Sequence, residues 1–357
     1  MRLVSWCLIR QLVISAIRNY KYMILILNIG STSIKFGLYD TNEREINRGV
    51  FEYDQDIATS FKEVLREIGN LDLIEAVGHR VVHGAERYTE PTELTSEIIE
   101  DLEDLSELAP LHNPYNLKGI TAARKWLPDV PHYAVFDTAF FSDLPQRSQM
   151  YPIAFSYYEK GIKRYGFHGL SHQYIMEETA KQLGKDVDKL TIITCHLGGG
   201  ASITAIEKGK PIDTSMGFTP QEGLMMMTRP GDIDPGLLVH LSKTGVDIED
   251  VITHNGGFKG MLHTTDYKEV IENVKKNLPH AVIAFELYLY RIVKYIGSYS
   301  AVLNTVDAVV FSGAIGSGDP FTVDSLKKKY PFIKSQKILT IPTNEEVSIA
   351  RRVIECL

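Results

Sequence analysis

The feature that most restricts how this chain can fold is a pattern that occurs twice. "ILILNIGSTSIKFGLYD", Ile24 to Asp40, is an apolar run that meets a Gly/Ser/Thr tip and resumes as the alternating residues Ile34, Phe36 and Leu38. "LTIITCHLGGGASITAIEKGKPIDTS", Leu190 to Ser215, has the same order of apolar run, glycine-rich tip and alternating run. Period-two alternation marks strands, and a short polar tip joining two strands marks a hairpin. One Gly/Ser turn is ordinarily only a turn. Two of them in separate halves point to a duplicated α/β fold, with backbone N–H groups and small hydroxyls at each tip able to surround an anion.

The segments around these hairpins supply the rest of such a fold. Ile57, Phe61, Val64 and Leu65 recur at helical spacing, "ELTSEIIEDLEDLSELAP" reads as an acidic helix stopped by Pro110, and "HNPYNLKGITAARKWLP" as a capped helix. "HYAVFDTAF" reads as a buried strand that turns at Asp137. A third glycine-rich turn, in "VDAVVFSGAIGSGDP", follows another apolar strand, and "PHAVIAFELYLYRIVKYIGSYSAVL" before it reads as a long, mostly buried helix. The expected organisation is an extension at 1–22, a first domain at 23–150 completed by about 342–357, and a second at 151–341.

Composition removes several classes of function. A net charge of -7 gives no electrostatic basis for binding nucleic acid or an anionic membrane surface. The three cysteines, Cys7, Cys195 and Cys356, are too scattered for a disulfide framework or zinc site, so a reducing, cytoplasmic location is expected. No apolar run approaches the roughly 20 residues of a membrane span. The basic, apolar start "MRLVSWCLIRQLVISAIRNYKY" precedes a second methionine, Met23, and has no small-residue cleavage site. It reads as an upstream start or an extra helix, with an interfacial anchor as the rival.

"NIGSTSIKFGLYD", "GHRVVHGAERYTEP", "LAPLHNPYN", "AVFDTAFFSDLP", "RYGFHGLSH", "HLGGGASI", "DTSMGFTPQEGLMMMTRPGDIDPG" and "IPTNEEVSIAR" together resemble the acetate kinase family, in that family's order, from about Asn28 to the C-terminus. The resemblance implies a duplicated actin-like (ribonuclease H-like) two-domain fold with a central cleft. It further implies phosphoryl transfer between ATP and acetate, with Mg²⁺ or Mn²⁺, acetyl phosphate and ADP as products, and a homodimer.

Such chemistry asks for in-line placement of a carboxylate and a phosphoryl group, with cations on the phosphoryl oxygens. Arg80 ends an apolar strand in "GHRVVHG", where its planar fork suits a carboxylate or phosphate; a surface salt bridge is the rival reading, and the resemblance favours substrate. Arg229 follows a methionine run that should be buried, so its charge needs a partner, and the resemblance assigns it to the transferring phosphoryl group. A lone histidine is more often structural, and His172 reads that way. By resemblance, His168 is the transition-state histidine that donates a hydrogen bond to phosphoryl oxygens, His196 belongs to the nucleotide side, and His112 is architectural.

Asp137 stands at the mouth of a strand, where a turn cap is the rival role. Acetate is already ionised near neutral pH, so Asp137 is expected to orient Arg80 or the metal rather than abstract a proton. Asn28 and Glu345 match metal-linked residues of the family, with a solvated acidic face shared with Glu346 as the alternative. Val82, Leu111, Phe167 and Pro220 match an acetate-methyl pocket, and each reads equally well as core. Ser31, Ser33 and Lys35 are expected to face phosphate, as are His196, Leu197, Gly198, Gly199 and Gly200. Asp266, Tyr267, Lys268, Ala314, Ile315, Gly316, Ser317 and Gly318 fall on the nucleotide side.

Departures from the family pattern collect there. Gly199 stands where an Asn is usual, Tyr267-Lys268 where Phe-Arg is usual, and Ser317-Gly318 where Glu-Asn is usual. The segments after Asp40 and after Gly318 are short. These differences open the expectation of an altered donor, pyrophosphate or another nucleotide. A propionate or butyrate kinase and a binding-only homologue are the remaining alternatives.

Overall fold

A computed structural model describes residues 22–30, 33–53, 57–110 and 112–357, with Ala58 described by its backbone alone. The expectations for residues 1–21, Ser31 and Leu111 lie outside the described residues. The chain forms two compact units, one running to Ala139 and completed by Asn344–Leu357, the other Phe140–Thr343.

In the first unit, β1 (Met23–Ile29), β2 (Ser33–Tyr39), β3 (Glu45–Glu52), β4 (Ile74–Val81), β5 (Thr92–Glu93) and β6 (His132–Phe136) form one sheet in the order β3-β2-β1-β4-β6-β5. The second holds β7 (Ile192–Leu197), β8 (Ala201–Glu207), β9 (Lys210–Thr214), β10 (Ala308–Ser312) and β11 (Ile338–Thr340), ordered β11-β10-β7-β8-β9. Both sheets follow one plan. An antiparallel three-strand meander continues into two parallel strands, through β1–β4–β6 in one unit and β7–β10–β11 in the other. The duplication read from the two hairpin tips is therefore present in the strand order.

The first strand of each meander sits at the centre of its sheet. All residues of β1 and β7 are buried, which is why both read as unbroken apolar runs rather than alternating ones. Helix α1 (Ile57–Ile68) closes one face of the first sheet with Phe61, Val64 and Ile68, none exposed. Burying each such side chain contributes about 1.5–3 kcal/mol. Helix α2 (Ser96–Asp104) begins at a Thr95 cap, and α3 (Asn113–Trp126) starts with a proline in its first turn and no side-chain cap at its first turn from His112.

In the second unit, α4 (Gly169–Leu183), α5 (Pro235–Lys243), α6 (Tyr267–Lys275) and α7 (Pro279–Leu303) surround the sheet. The long α7 corrects the expectation of a mostly buried helix: Ala284, Tyr288 and Ile292 are buried, but Ile283, Tyr290 and Val302 are exposed on it. No residue of α5 is buried. No helix among the described residues is long and apolar enough to cross a membrane.

Helix α8 (Glu345–Ile354) returns the chain to the first unit and lies on β1 and β4. Its approach depends on Gly78. A Cβ there would come within 2.7 Å of Ile26 and 2.8 Å of Val353, so the missing side chain lets α8 seat and fixes where Glu345 begins it.

Candidate active site

Parallel strands of an α/β sheet end at one edge, and that edge is where such sheets bind ligands. In the first unit it carries Asn28 near the end of β1, Arg80 near the end of β4 and Asp137 just after β6. Two asparagines of α3 staple this edge. Asn116 accepts from Val82 N at 3.1 Å and donates to Ile29 O at 2.7 Å, while Asn113 accepts from His83 N at 3.1 Å and donates to His83 O at 3.0 Å.

Arg80 grips Asp137 with both arms, Nε to Oδ1 at 3.1 Å and Nη2 to Oδ2 at 2.6 Å. Its third nitrogen, Nη1, donates to Asn28 Oδ1 at 3.3 Å and lies 3.4 Å from Glu345 Oε2. Asn28 Nδ2 in turn donates to Glu345 Oε2 at 3.1 Å and Glu346 Oε1 at 3.0 Å. Burial alone would loosen the Arg80 proton, but the charges of Asp137, Glu345 and Glu346 outweigh it and raise its pKa. One guanidinium thus faces three carboxylates, with Asp137 1% and the Arg80 side chain 20% exposed. Glu346 was not among the expected site residues; only the packing of α8 brings it to Asn28.

No group of three or more His, Cys, Asp or Glu side chains able to hold a metal occurs among the described residues. Mg²⁺ does not need one, because it takes one or two carboxylates and completes its shell with waters and phosphates. The hard oxygens of Asn28, Glu345 and Glu346, and the surplus of negative charge around Arg80, fit such an ion. Lys35 pairs across the hairpin with Asn28 and lines a depression of about 420 Å³ with Arg48, Asn344 and Glu346. Ser33 starts β2, and Val82, two residues after Arg80, is buried.

The second unit gathers His168, His172, His196, Ser202 and Arg229. His168 immediately precedes α4 with φ 59° and ψ 27°, the left-handed region that non-glycine residues seldom occupy. Its Nδ1 lies 2.9 Å from Ser202 Oγ, and its ring stacks on His196 at 4.4 Å between centroids. His196 Nδ1 lies 2.7 Å from Ser171 Oγ, which bonds Thr343 Oγ1 at 2.8 Å. Phe167, beside His168, is buried, and Arg164 holds the preceding segment through the carbonyls of Ser148, Thr214 and Met216 and the Glu222 carboxylate.

Met225, Met226 and Met227 are buried as expected, and the charge behind them has a carbonyl and a thioether as its partners. Arg229 Nη1 donates to Pro220 O at 3.1 Å and meets Met226 Sδ at 3.6 Å, and Arg229 makes no ion pair among the described residues. Burial pulls its pKa down, the mark of a cation held without compensation. Gly200 relates it to His168: a Cβ there would lie 3.2 Å from His168 Nε2 and 3.8 Å from Arg229 Nη1. The hairpin tip is tied to this cation's loop by Met227 N donating to Gly199 O at 3.1 Å.

The glycine turns adjoin. Gly313, with φ 78°, packs where a Cβ would be 2.4 Å from Leu197 O, and Gly316 lies against Leu197 Cβ. Ile315 and Gly316 are buried, whereas Ala314 and Gly318 are exposed. A Cβ on Gly318 would sit 2.4 Å from Ala314 O, so the asparagine usual in the family would not fit this backbone. Ser317 turns its hydroxyl back to Gly313 O. Asp266 caps α6 by accepting from Lys268 N, the Tyr267 hydroxyl bonds Thr322 at 2.7 Å, and Lys268 points to solvent. Gly199 has open space around it.

A profile of the acetokinase family matches residues 50–329. The chain is 39% identical to the acetate kinase of Halothermothrix orenii over 398 aligned residues, covering 93% of this chain and 99% of that one. It is also 39% identical to the acetate kinase of Thermotoga maritima, covering 92% and 97%. Among solved structures, an acetate kinase from Porphyromonas gingivalis matches with a TM-score of 0.84 at 34% identity, covering 94% of this chain and 99% of that chain. A propionate kinase from Francisella tularensis matches with a TM-score of 0.86 at 32% identity, covering 93% and 98%. With the duplicated sheets and this family match, the chain belongs to the acetokinase family and has its fold.

Proposed function

We propose that this chain catalyses the reversible transfer of the γ-phosphoryl group of ATP to acetate, giving acetyl phosphate and ADP with the help of Mg²⁺. The observation that carries the reading is Arg229, a half-buried guanidinium without an ion pair among the described residues, facing the same glycine as His168 Nε2. A half-buried cation without a counter-charge, beside a ring nitrogen, is an arrangement completed by a polyanion.

In the reaction a carboxylate oxygen of acetate bonds to the γ-phosphorus while the bond from that phosphorus to the ADP oxygen breaks. Acetate enters ionised, so no base is required. Asp137 holds the Arg80 fork charged and oriented for the carboxylate. His168 and Arg229 donate to the equatorial oxygens of the transferring group, and each donor of this kind supplies about 2.7–4 kcal/mol of transition-state stabilisation. Backbone N–H groups of the Gly198–Gly200 and Gly313–Gly318 turns, with Ser33 and Lys35, suit the remaining phosphate charge. Asn28, Glu345 and Glu346 would hold Mg²⁺, which when bound neutralises phosphate charge.

Val82, Phe167 and Pro220 serve as the apolar contacts for the acetate methyl. Likeness to a propionate kinase favours a second acyl substrate, and one methylene discriminates by only about 1–3 kcal/mol. Leu237 and Val239 on the uncovered helix α5 support a homodimer, and the sparse cysteines a cytoplasmic enzyme. The test is a hydroxamate assay for acyl phosphate with acetate or propionate against ATP, GTP or pyrophosphate, with Arg229→Ala as control. ATP with acetate should give the highest kcat/KM; product formation from no donor would overturn the reading, and preference for pyrophosphate would replace its donor.

A further inference from the structure

Ser202 and His172 form a chain of hydrogen bonds behind His168 that ends on the backbone. His172, on the helix that His168 begins, is fully buried; its Nδ1 lies 2.7 Å from Thr194 Oγ1 and its Nε2 2.8 Å from Ser202 Oγ. Ser202, also fully buried, lies 2.9 Å from His168 Nδ1 with the same oxygen. Thr194 Oγ1 donates to Thr204 O at 3.5 Å, across the β7–β8 pair.

A hydroxyl has one proton, and this fixes every direction in the chain. Thr194 spends its proton on the Thr204 carbonyl, so its oxygen accepts from His172 Nδ1–H. Burial, and then neighbouring His196, push the His172 pKa well below the ordinary histidine value, so that ring is neutral. Its Nε2 therefore carries no proton and accepts from the Ser202 hydroxyl. Ser202, its proton committed, accepts from His168.

We infer that Ser202 and His172 are positioning residues that fix His168 as a donor at Nδ1, so that His168 reaches the phosphoryl group as an imidazolium, with its second proton on Nε2. The inference rests on the phosphotransfer proposed above. A neutral His168 held in this chain has its only proton on Nδ1 and presents a bare lone pair to a phosphoryl oxygen, which repels it. Ionisable neighbours of His168 include stacked His196 from β7 and Arg229 across Gly200. With its second proton on Nε2, His168 and Arg229 both present N–H donors at Gly200.

Two measurements test this. In the wild-type protein, ¹⁵N shifts of labelled histidines should show His172 protonated at Nδ1 and bare at Nε2; the opposite tautomer overturns the inference whether or not the protein is a kinase. In the second, kcat of the wild type should fall about tenfold per pH unit on the alkaline side as His168 loses its Nε2 proton. Ser202→Ala frees neutral His168 to take the Nε2–H tautomer. Its maximal kcat should drop on the order of tenfold, for one lost orienting hydrogen bond, with KM for acetate little changed. Its alkaline fall should level to a plateau. Parallel pH profiles of wild type and variant would overturn the inference. A wild type that makes no acyl phosphate would instead sink the proposed function, leaving the tautomer measurement to decide this one.

Discussion

Gly200→Ala tests the geometry at the point where His168 and Arg229 meet. Gly200 has no left-handed φ, so alanine fits its backbone. The added methyl would lie 3.2 Å from His168 Nε2, 3.3 Å from His168 Cε1 and 3.8 Å from Arg229 Nη1. A phosphoryl oxygen held by Nε2 needs a place about 2.7–3.1 Å from it, and the methyl fills that space. His168 cannot retreat easily: its Nδ1 is bonded to Ser202 at 2.9 Å and its ring is stacked on His196. Losing one donor on the transferring group lowers kcat about 10²–10³-fold, or about 2.7–4 kcal/mol. The fold should tolerate the change, because the methyl meets side-chain ends and the overpacking costs about 1 kcal/mol, partly offset by the stiffer unfolded chain. The assay is acyl hydroxamate formation at saturating ATP and acetate, alongside a thermal melt. A Tm within a few degrees and kcat within threefold of wild type would refute the assignment of this space to the phosphoryl group.

Asp137→Asn keeps the shape of the pair with Arg80 but removes the charge; allowing for the 20% exposure of Arg80, urea denaturation should show a loss of about 2 kcal/mol, together with a raised KM for acetate. Glu345→Gln should raise the Mg²⁺ concentration for half-maximal rate about tenfold or more, and an unchanged Mg²⁺ titration would remove Glu345 from the metal's surroundings. Acid should destabilise the protein early. Burial depresses the folded-state pKa values of His79, His132 and His172, and that of His83 is pushed down to about 4. Below about pH 6.5 the unfolded chain binds protons that these folded rings refuse, so each removes up to about 1.4 kcal/mol per pH unit until its folded pKa is reached. Urea midpoints between pH 7.5 and 5 should therefore fall steeply, and His79→Gln should flatten the slope; a flat wild-type profile would contradict the buried neutral pair of His79 and His132, 2.8 Å apart.

The central strands and both hairpin tips were legible because a strand covered on both faces has to be apolar along its whole length, and its turn has to be small and polar. Arg80 and Asp137 were legible as strand-end residues of opposite charge, and the bidentate pair follows from that placement. Other partnerships left no local trace. Asn116 reaches Ile29 from 87 residues away, and Glu346 meets Asn28 only because Gly78 lets α8 settle on β4. Ser202 reads as one more small residue after a glycine tip, yet it joins two histidines from a neighbouring helix. The long helix α7 read as buried because apolar periodicity does not distinguish a core face from an uncovered one.

The sequence by itself determined the duplicated pattern of apolar strand, small polar tip and second strand, since this depends on spacing and side-chain character along the chain. Tertiary structure decided that Arg229 has a carbonyl and a thioether in place of a carboxylate, and that His168 stands in a left-handed turn with its Nδ1 bound from behind. Those outcomes turn on whether buried polar groups find partners, and partners are set by which distant segments pack together.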